Sequence, residues 1–105
     1  MIDQTKVIDF LSIGKIDGKI YLTISDHHDW KDPVNHIFLL QEKLNSYLAY
    51  IESGEIFEDN PSRKGREIVI DLVIKHQIPK KYEYIYNIAD KVIGDAGFKF
   101  KISTL

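Results

Sequence analysis

The densest group of reactive side chains in the 105-residue chain is Asp26-His27-His28-Asp29-Trp30-Lys31-Asp32, with His36 four residues further on. Three aspartates and three histidines within eleven residues offer imidazole nitrogen and carboxylate oxygen, a donor set suited to Zn²⁺ or Mn²⁺. The candidate ligands are Asp26, His27, His28, Asp29 and His36. A zinc ion there would lower the pKa of a bound water to about 7 and supply hydroxide for attack on an ester or phosphate. The spacing is neither His-Glu-x-x-His nor a calcium loop. A plainer account is favoured, and with it no cofactor is expected. Asp32 caps a helix, Asp26 or Asp29 accepts backbone N–H bonds, and Trp30 packs the connector onto the body of the protein. Ser25, Asp26 and His27 do not make a nucleophilic triad, because on an extended chain Asp26 points away from the other two. Neither Gly-x-Ser-x-Gly nor a glycine-rich phosphate loop is present.

The elements that must position this cluster follow from hydrophobic spacing. Residues 7–25 predict a β-hairpin. Val7 to Ile13 is apolar and β-branched, Asp17-Gly18 is a turn dipeptide, and Ile20, Leu22 and Ile24 alternate with Tyr21, Thr23 and Ser25. The acidic stretch from Asp26 to Asp32 is expected to end that strand. Asp32-Pro33 then opens a long helix, with Asp as N-cap and Pro at the first helical position. Ile37, Leu40, Leu44, Tyr47, Leu48 and Ile51 form its apolar stripe, and Gly54 stops it. Residues 55–66 are a charged connector anchored by Ile56 and Phe57. Glu67 to Lys75 predicts a strand. Pro79 introduces a second helix whose inner side is Ile85, Ile88, Ala89, Val92, Ile93 and Ala96, ending at Gly97. Phe98, Phe100 and Ile102 alternate with lysine and serine in a last strand. The order is ββαβαβ. Its economical packing is an α+β two-layer sandwich, a four-stranded sheet with both helices on one face, and strand order is left open.

Composition narrows the function classes. Hydrophobic residues make up 44% and charged residues 29%, the proportions of a globular protein, and the length suits one domain over 1–105. A net charge of -2 argues against nucleic-acid and anionic-membrane partners, and the small basic groups at Arg63-Lys64-Gly65-Arg66 and Lys80-Lys81 suit solvated loops. Cysteine is absent, which excludes disulfides and thiolate chemistry. The longest apolar run, Ile37 to Leu40, falls far short of the roughly 20 residues that cross a bilayer. With no export signal, the expected location is the cytoplasm.

Protein contact is the leading functional expectation, as a homodimer or an accessory subunit. The sheet face away from the helices carries Tyr21, Thr23, Val69, Asp71, Val73, Lys99 and Lys101, half apolar and half charged, with Asp71 placed to pair with Lys101. Tyr21, Val69 and Val73 are candidate partner residues there, and Tyr82, Tyr84 and Tyr86 form a second candidate group. The alternative is a metal-binding protein or metal-dependent hydrolase built on the Asp/His cluster.

Leu22-Thr-Ile-Ser-Asp-His-His-Asp-Trp30, together with Leu39-Leu-Gln-Glu-Lys-Leu-Asn-Ser-Tyr-Leu-Ala-Tyr-Ile-Glu-Ser-Gly-Glu55, resembles a family of small uncharacterised bacterial proteins. These proteins share an Asp-His-x-Asp-Trp stretch and a helix with Gln-Glu-Lys-Leu-Asn and Ile-Glu-Ser-Gly-Glu signatures. The likeness extends to Lys64-Gly65-Arg66 and Ala96-Gly97-Phe98, implies a bacterial cytoplasmic setting, and names no catalytic residue. It draws notice to Asp26, His27, Asp29 and Trp30, and to Gln41, Glu42, Asn45, Glu52 and Glu55 on the helix. Gln41 and Asn45 share a helix face. Hydrogen bonding to the connector is the favoured role for that row, and partner binding the other.

Overall fold

The first chain reversal is made by Asp17-Gly18. In the computed structural model of the protein, which describes residues 2–105, Gly18 has φ +70°. The Asp17 carboxylate accepts hydrogen bonds from the Lys19 N–H at 2.9 Å and the Tyr21 hydroxyl at 2.5 Å. This turn joins β1 (Phe10–Ile13) to β2 (Ile20–Asp26), paired antiparallel with Leu11 opposite Leu22. Helix α1 (Pro33–Glu52) and the short helix α2 (Glu55–Asp59) lead to β3 (Ile68–Ile74), and α3 (Glu83–Asp95) leads to β4 (Lys99–Thr104). The sheet order is β1-β2-β3-β4, with β3 parallel to both β2 and β4. Two parallel crossovers that step in the same direction place their helices on the same face. Ile20, Leu22, Ile24, Ile70 and Leu72 accordingly pack with Leu40, Tyr47, Ala89 and Ile93 in one buried cluster. The predicted α+β class and ββαβαβ order hold, and the sheet is mixed.

Caps act where the sequence placed them. Asp32 accepts from the Asn35 N–H at 3.3 Å, and Pro33 starts α1. Gly97, at φ +95°, turns the chain after α3 so that the Phe98 N–H returns to the Ile93 carbonyl at 3.0 Å.

Five expectations are corrected. The hairpin strand begins at Phe10, not Val7, because the backbone before it bonds to α1: Lys43 Nζ donates to the Val7 carbonyl, and the Asp9 N–H donates to the Tyr47 hydroxyl. Asp26 continues β2 with its carboxylate on the core side, where α1 supplies a partner. The inner face of α1 carries His36 and Lys43 beside Leu40, Leu44, Tyr47 and Ile51. The inner face of α3 is Tyr86, Ala89 and Ile93, while Ile88 and Val92 are exposed. On the open sheet face, Asp71 is the register partner of Lys101, yet its carboxylate accepts the Ser103 hydroxyl at 2.9 Å.

Lys43 has no exposed surface. Its ammonium donates to the carbonyls of Gln4 at 2.7 Å and Val7 at 2.5 Å, and to Asp9 Oδ1 at 2.7 Å. Tyr47, one turn on, donates its hydroxyl to the Thr23 carbonyl at 2.6 Å. Lys43→Met removes the cation and strands three acceptors, so it is expected to lower unfolding free energy by about 3 kcal/mol in urea titration. An unchanged midpoint would refute this account of the lysine.

Burial alone would raise the Asp9 carboxyl, but the charge-assisted interactions around it, the Lys43 hydrogen bond first among them, hold the pKa below its usual 3.8. A carboxyl with a lower pKa folded than unfolded adds stability that is complete above the unfolded value. That stability is lost as pH falls through the folded one. Asp9→Asn should therefore be less stable at neutral pH and lose less on going from neutral to strongly acidic pH. Urea titrations of both proteins across that range check it; parallel pH dependences would contradict it.

Candidate functional site

The carboxyl ends of the parallel strands β2, β3 and β4 share one edge of the sheet, the edge where ligands bind in open parallel α/β sheets. The Asp/His cluster sits at this edge, between the end of β2 and the start of α1. Asp26 Oδ2 lies 2.6 Å from His36 Nε2, and both side chains are only 2% exposed. His36 Nδ1 is 3.0 Å from the Asp29 carbonyl, which can only accept, so Nδ1 carries a hydrogen there. Asp26 Oδ1 accepts the His28 N–H at 3.1 Å. Trp30 stacks on the His36 ring at 3.8 Å between centroids and on Tyr82 at 5.7 Å. Tyr86 reaches the same region from α3. Burial, reinforced by the Asp26 charge, pushes its phenol well above the ordinary tyrosine range.

His27 and His28 turn the other way. Their rings stack at 4.6 Å, and both meet Asp3, whose Oδ1 is 2.5 Å from His28 Nε2 and whose Oδ2 is 3.6 Å from His27 Nε2. The hydrogen bond from His28 lowers the Asp3 pKa against the opposing effect of burial.

The five expected ligands are thus divided. Asp26 and His36 form an enclosed pair, and His27 and His28 join Asp3. Asp29 closes its own turn, accepting the Lys31 N–H at 3.0 Å. Neighbouring side chains on an extended strand diverge; here the chain turns after Asp26, which stacks the two imidazoles and sends Asp26 inward. Asp3 carries no sequence signal, being 24 residues before His27 and in no motif.

The candidate partner residues are also divided. Tyr21, Val69 and Val73 lie on the open sheet face, with Val69 only 6% exposed. Tyr82 packs on Trp30, Tyr86 is buried, and Tyr84 is exposed. The three tyrosines do not form one surface: Tyr82 precedes α3, and Tyr84 and Tyr86, two residues apart on it, point to opposite sides of the helix.

Tyr84 instead borders a groove of about 400 Å³ between α1 and α3. One wall is Ile37, Leu44 and Leu48 with Gln41 and Asn45, and the other is Tyr84, Ile85, Ile88 and Val92. The favoured role for Gln41 and Asn45, bonding the connector, gives way to a place in this groove.

A mixed four-stranded sheet under two crossover helices, with its polar cluster at the carboxyl edge, defines an α+β protein of βαβ crossovers. The whole chain, residues 1–105, matches the family described as "Family of unknown function (DUF6572)", and it belongs to that family. No curated protein and no solved structure matches it. No helix of the described residues is long and apolar enough to cross a membrane.

Removing the Asp26 carboxylate leaves His36 Nε2 without its hydrogen-bond partner and the His28 N–H without its acceptor. Asp26→Ala is expected to cost about 3–5 kcal/mol, with Asp26→Asn costing less because it keeps an acceptor. Trp30, the sole tryptophan and stacked on His36, reports the transition by fluorescence in urea. Equal stabilities would refute the pairing.

Proposed function

We propose that the protein acts through protein contacts rather than catalysis, and that it self-associates through its helical face. The observation that carries this is the apolar groove between α1 and α3, on a layer that also exposes Val34 and Phe38 beside Tyr84, Ile88 and Val92. Ile88 is 57% exposed in the middle of its helix, where a monomer gains nothing from an isoleucine. Contiguous apolar patches of this kind mark interaction surfaces.

A second copy suits the groove because ridge and groove lie side by side. Tyr84, Ile88 and Val92 recur every four residues along α3, the spacing of a helix ridge that fits a groove between helices. A two-fold axis beside α3 lays the ridge of each copy into the groove of the other, as a self-complementary interface requires. Gln41 and Asn45 provide polar groups to fix the register. The open sheet face is the poorer candidate, since covering it desolvates Asp71, Lys99 and Lys101.

Light scattering at increasing concentration should give twice the chain mass of 12.2 kDa. Ile88→Glu places a carboxylate at the centre of the contact and should weaken association by about tenfold or more, with the melting temperature of the monomer kept. Lys101→Glu on the sheet face should leave the mass unchanged. A mass of one chain at every concentration, or a dimer indifferent to Ile88→Glu, overturns the reading.

A further inference from the structure

We propose that Asp3, His27 and His28 form a binding site for a borderline first-row divalent cation, with Zn²⁺ the best match. Each residue supplies one donor atom, and the three donors lie within 4.8 Å of one another. Two imidazole nitrogens and one carboxylate oxygen, without sulfur, are a set that Zn²⁺ accepts in tetrahedral geometry, leaving a fourth position for water.

The donors converge because two separate segments are held in place. On one side, Ile2 is buried in the core with its N–H bonded to the Ser25 carbonyl at 3.0 Å, and Lys43 grips the Gln4 carbonyl, so Asp3 stands between two fixed residues. On the other side, the His28 N–H is bonded to Asp26, which His36 pins from α1. Such outer partners orient the ligands of metal sites and spare the ion the cost of ordering them. His27 Nε2 is the ring nitrogen that faces Asp3, while its Nδ1 is enclosed with no partner among the described residues.

The stacked imidazoles and the Asp3 carboxylate face one another closely enough for a single dication to be shared among all three. The three side chains are each between a third and a half exposed, which gives the ion a path in and its fourth position access to solvent. The site lies at the sheet edge and draws on one chain only, so it is the same in a monomer and in a dimer.

The test is calorimetric titration of the full chain, stripped with EDTA and dialysed, with zinc chloride. One ion per chain is expected. Asp3→Asn, His27→Gln and His28→Gln should each reduce affinity about tenfold or more, and His76→Gln, a control at an exposed histidine near the end of β3, should leave it unchanged. Circular-dichroism melts of the metal-free variants establish that each is folded. Imidazole resonances of the unmodified chain give a second readout, with zinc expected to shift those of His27 and His28. No heat of binding, or binding that survives Asp3→Asn and His28→Gln together, overturns the proposal. So does a zinc-induced shift confined to His76.

Discussion

A lysine ammonium with no access to water must be surrounded by oxygen, and that requirement at Lys43 shapes much of the molecule. Its three acceptors all come from residues 4–9, which form no regular element. Tyr47 completes the arrangement by bonding both Asp9 and the Thr23 carbonyl. Helix α1, the N-terminal segment and β2 are thereby joined through polar groups beneath an apolar layer. Exchanging such a cluster for hydrocarbon often stabilises a protein, so what the cluster contributes is position. It sets where the segment lies, and with it where Asp3 meets the histidines.

His36 lies two helical turns before Lys43 on the same inner face of α1 and answers a second constraint of the same kind. A carboxylate at the buried end of β2 needs donors, and it finds one in the helix and one in its own connector. His36 stands at the start of the α1 core face and Lys43 near its middle, with Leu40 between them. One helix thus locks the start of the chain and the end of the central strand, and its rotation about its own axis is fixed by hydrogen bonds as well as by packing.

Much of the fold was legible because local signals agreed with one another. Asp32-Pro33, Gly54, Asp17-Gly18 and Gly97 mark boundaries by backbone chemistry, and the alternation in β2 and β3 survives in their burial. Helix rotation was not legible. Hydrophobic spacing ranks Ile88 above Tyr86 and Ile37 above His36, while the structure buries the second member of each pair. A side chain whose partner lies far along the sequence, such as Lys43 with Gln4 or His28 with Asp3, has no periodic signature. The candidate site was half legible for the same reason: residues 26–36 announced themselves by density, but their division into an inward pair and an outward pair depends on the turn after β2 and on a carboxylate at residue 3.

These substitutions share one physical consequence. Every polar residue placed on the inner face of a helix displaces an apolar one from it. α1 gives two inner positions to His36 and Lys43, and α3 gives one to Tyr86, whose hydroxyl is buried without a partner among the described residues. The apolar residues that spacing would have placed inside, Ile37 and Leu48 on one helix and Ile88 and Val92 on the other, are turned toward the gap between the helices. A chain selected only for its own stability would rotate both helices to close that gap. Here His36 and Lys43 fix the rotation of α1, so the fold that orders the Asp/His end of the sheet also leaves an apolar groove on the helical face.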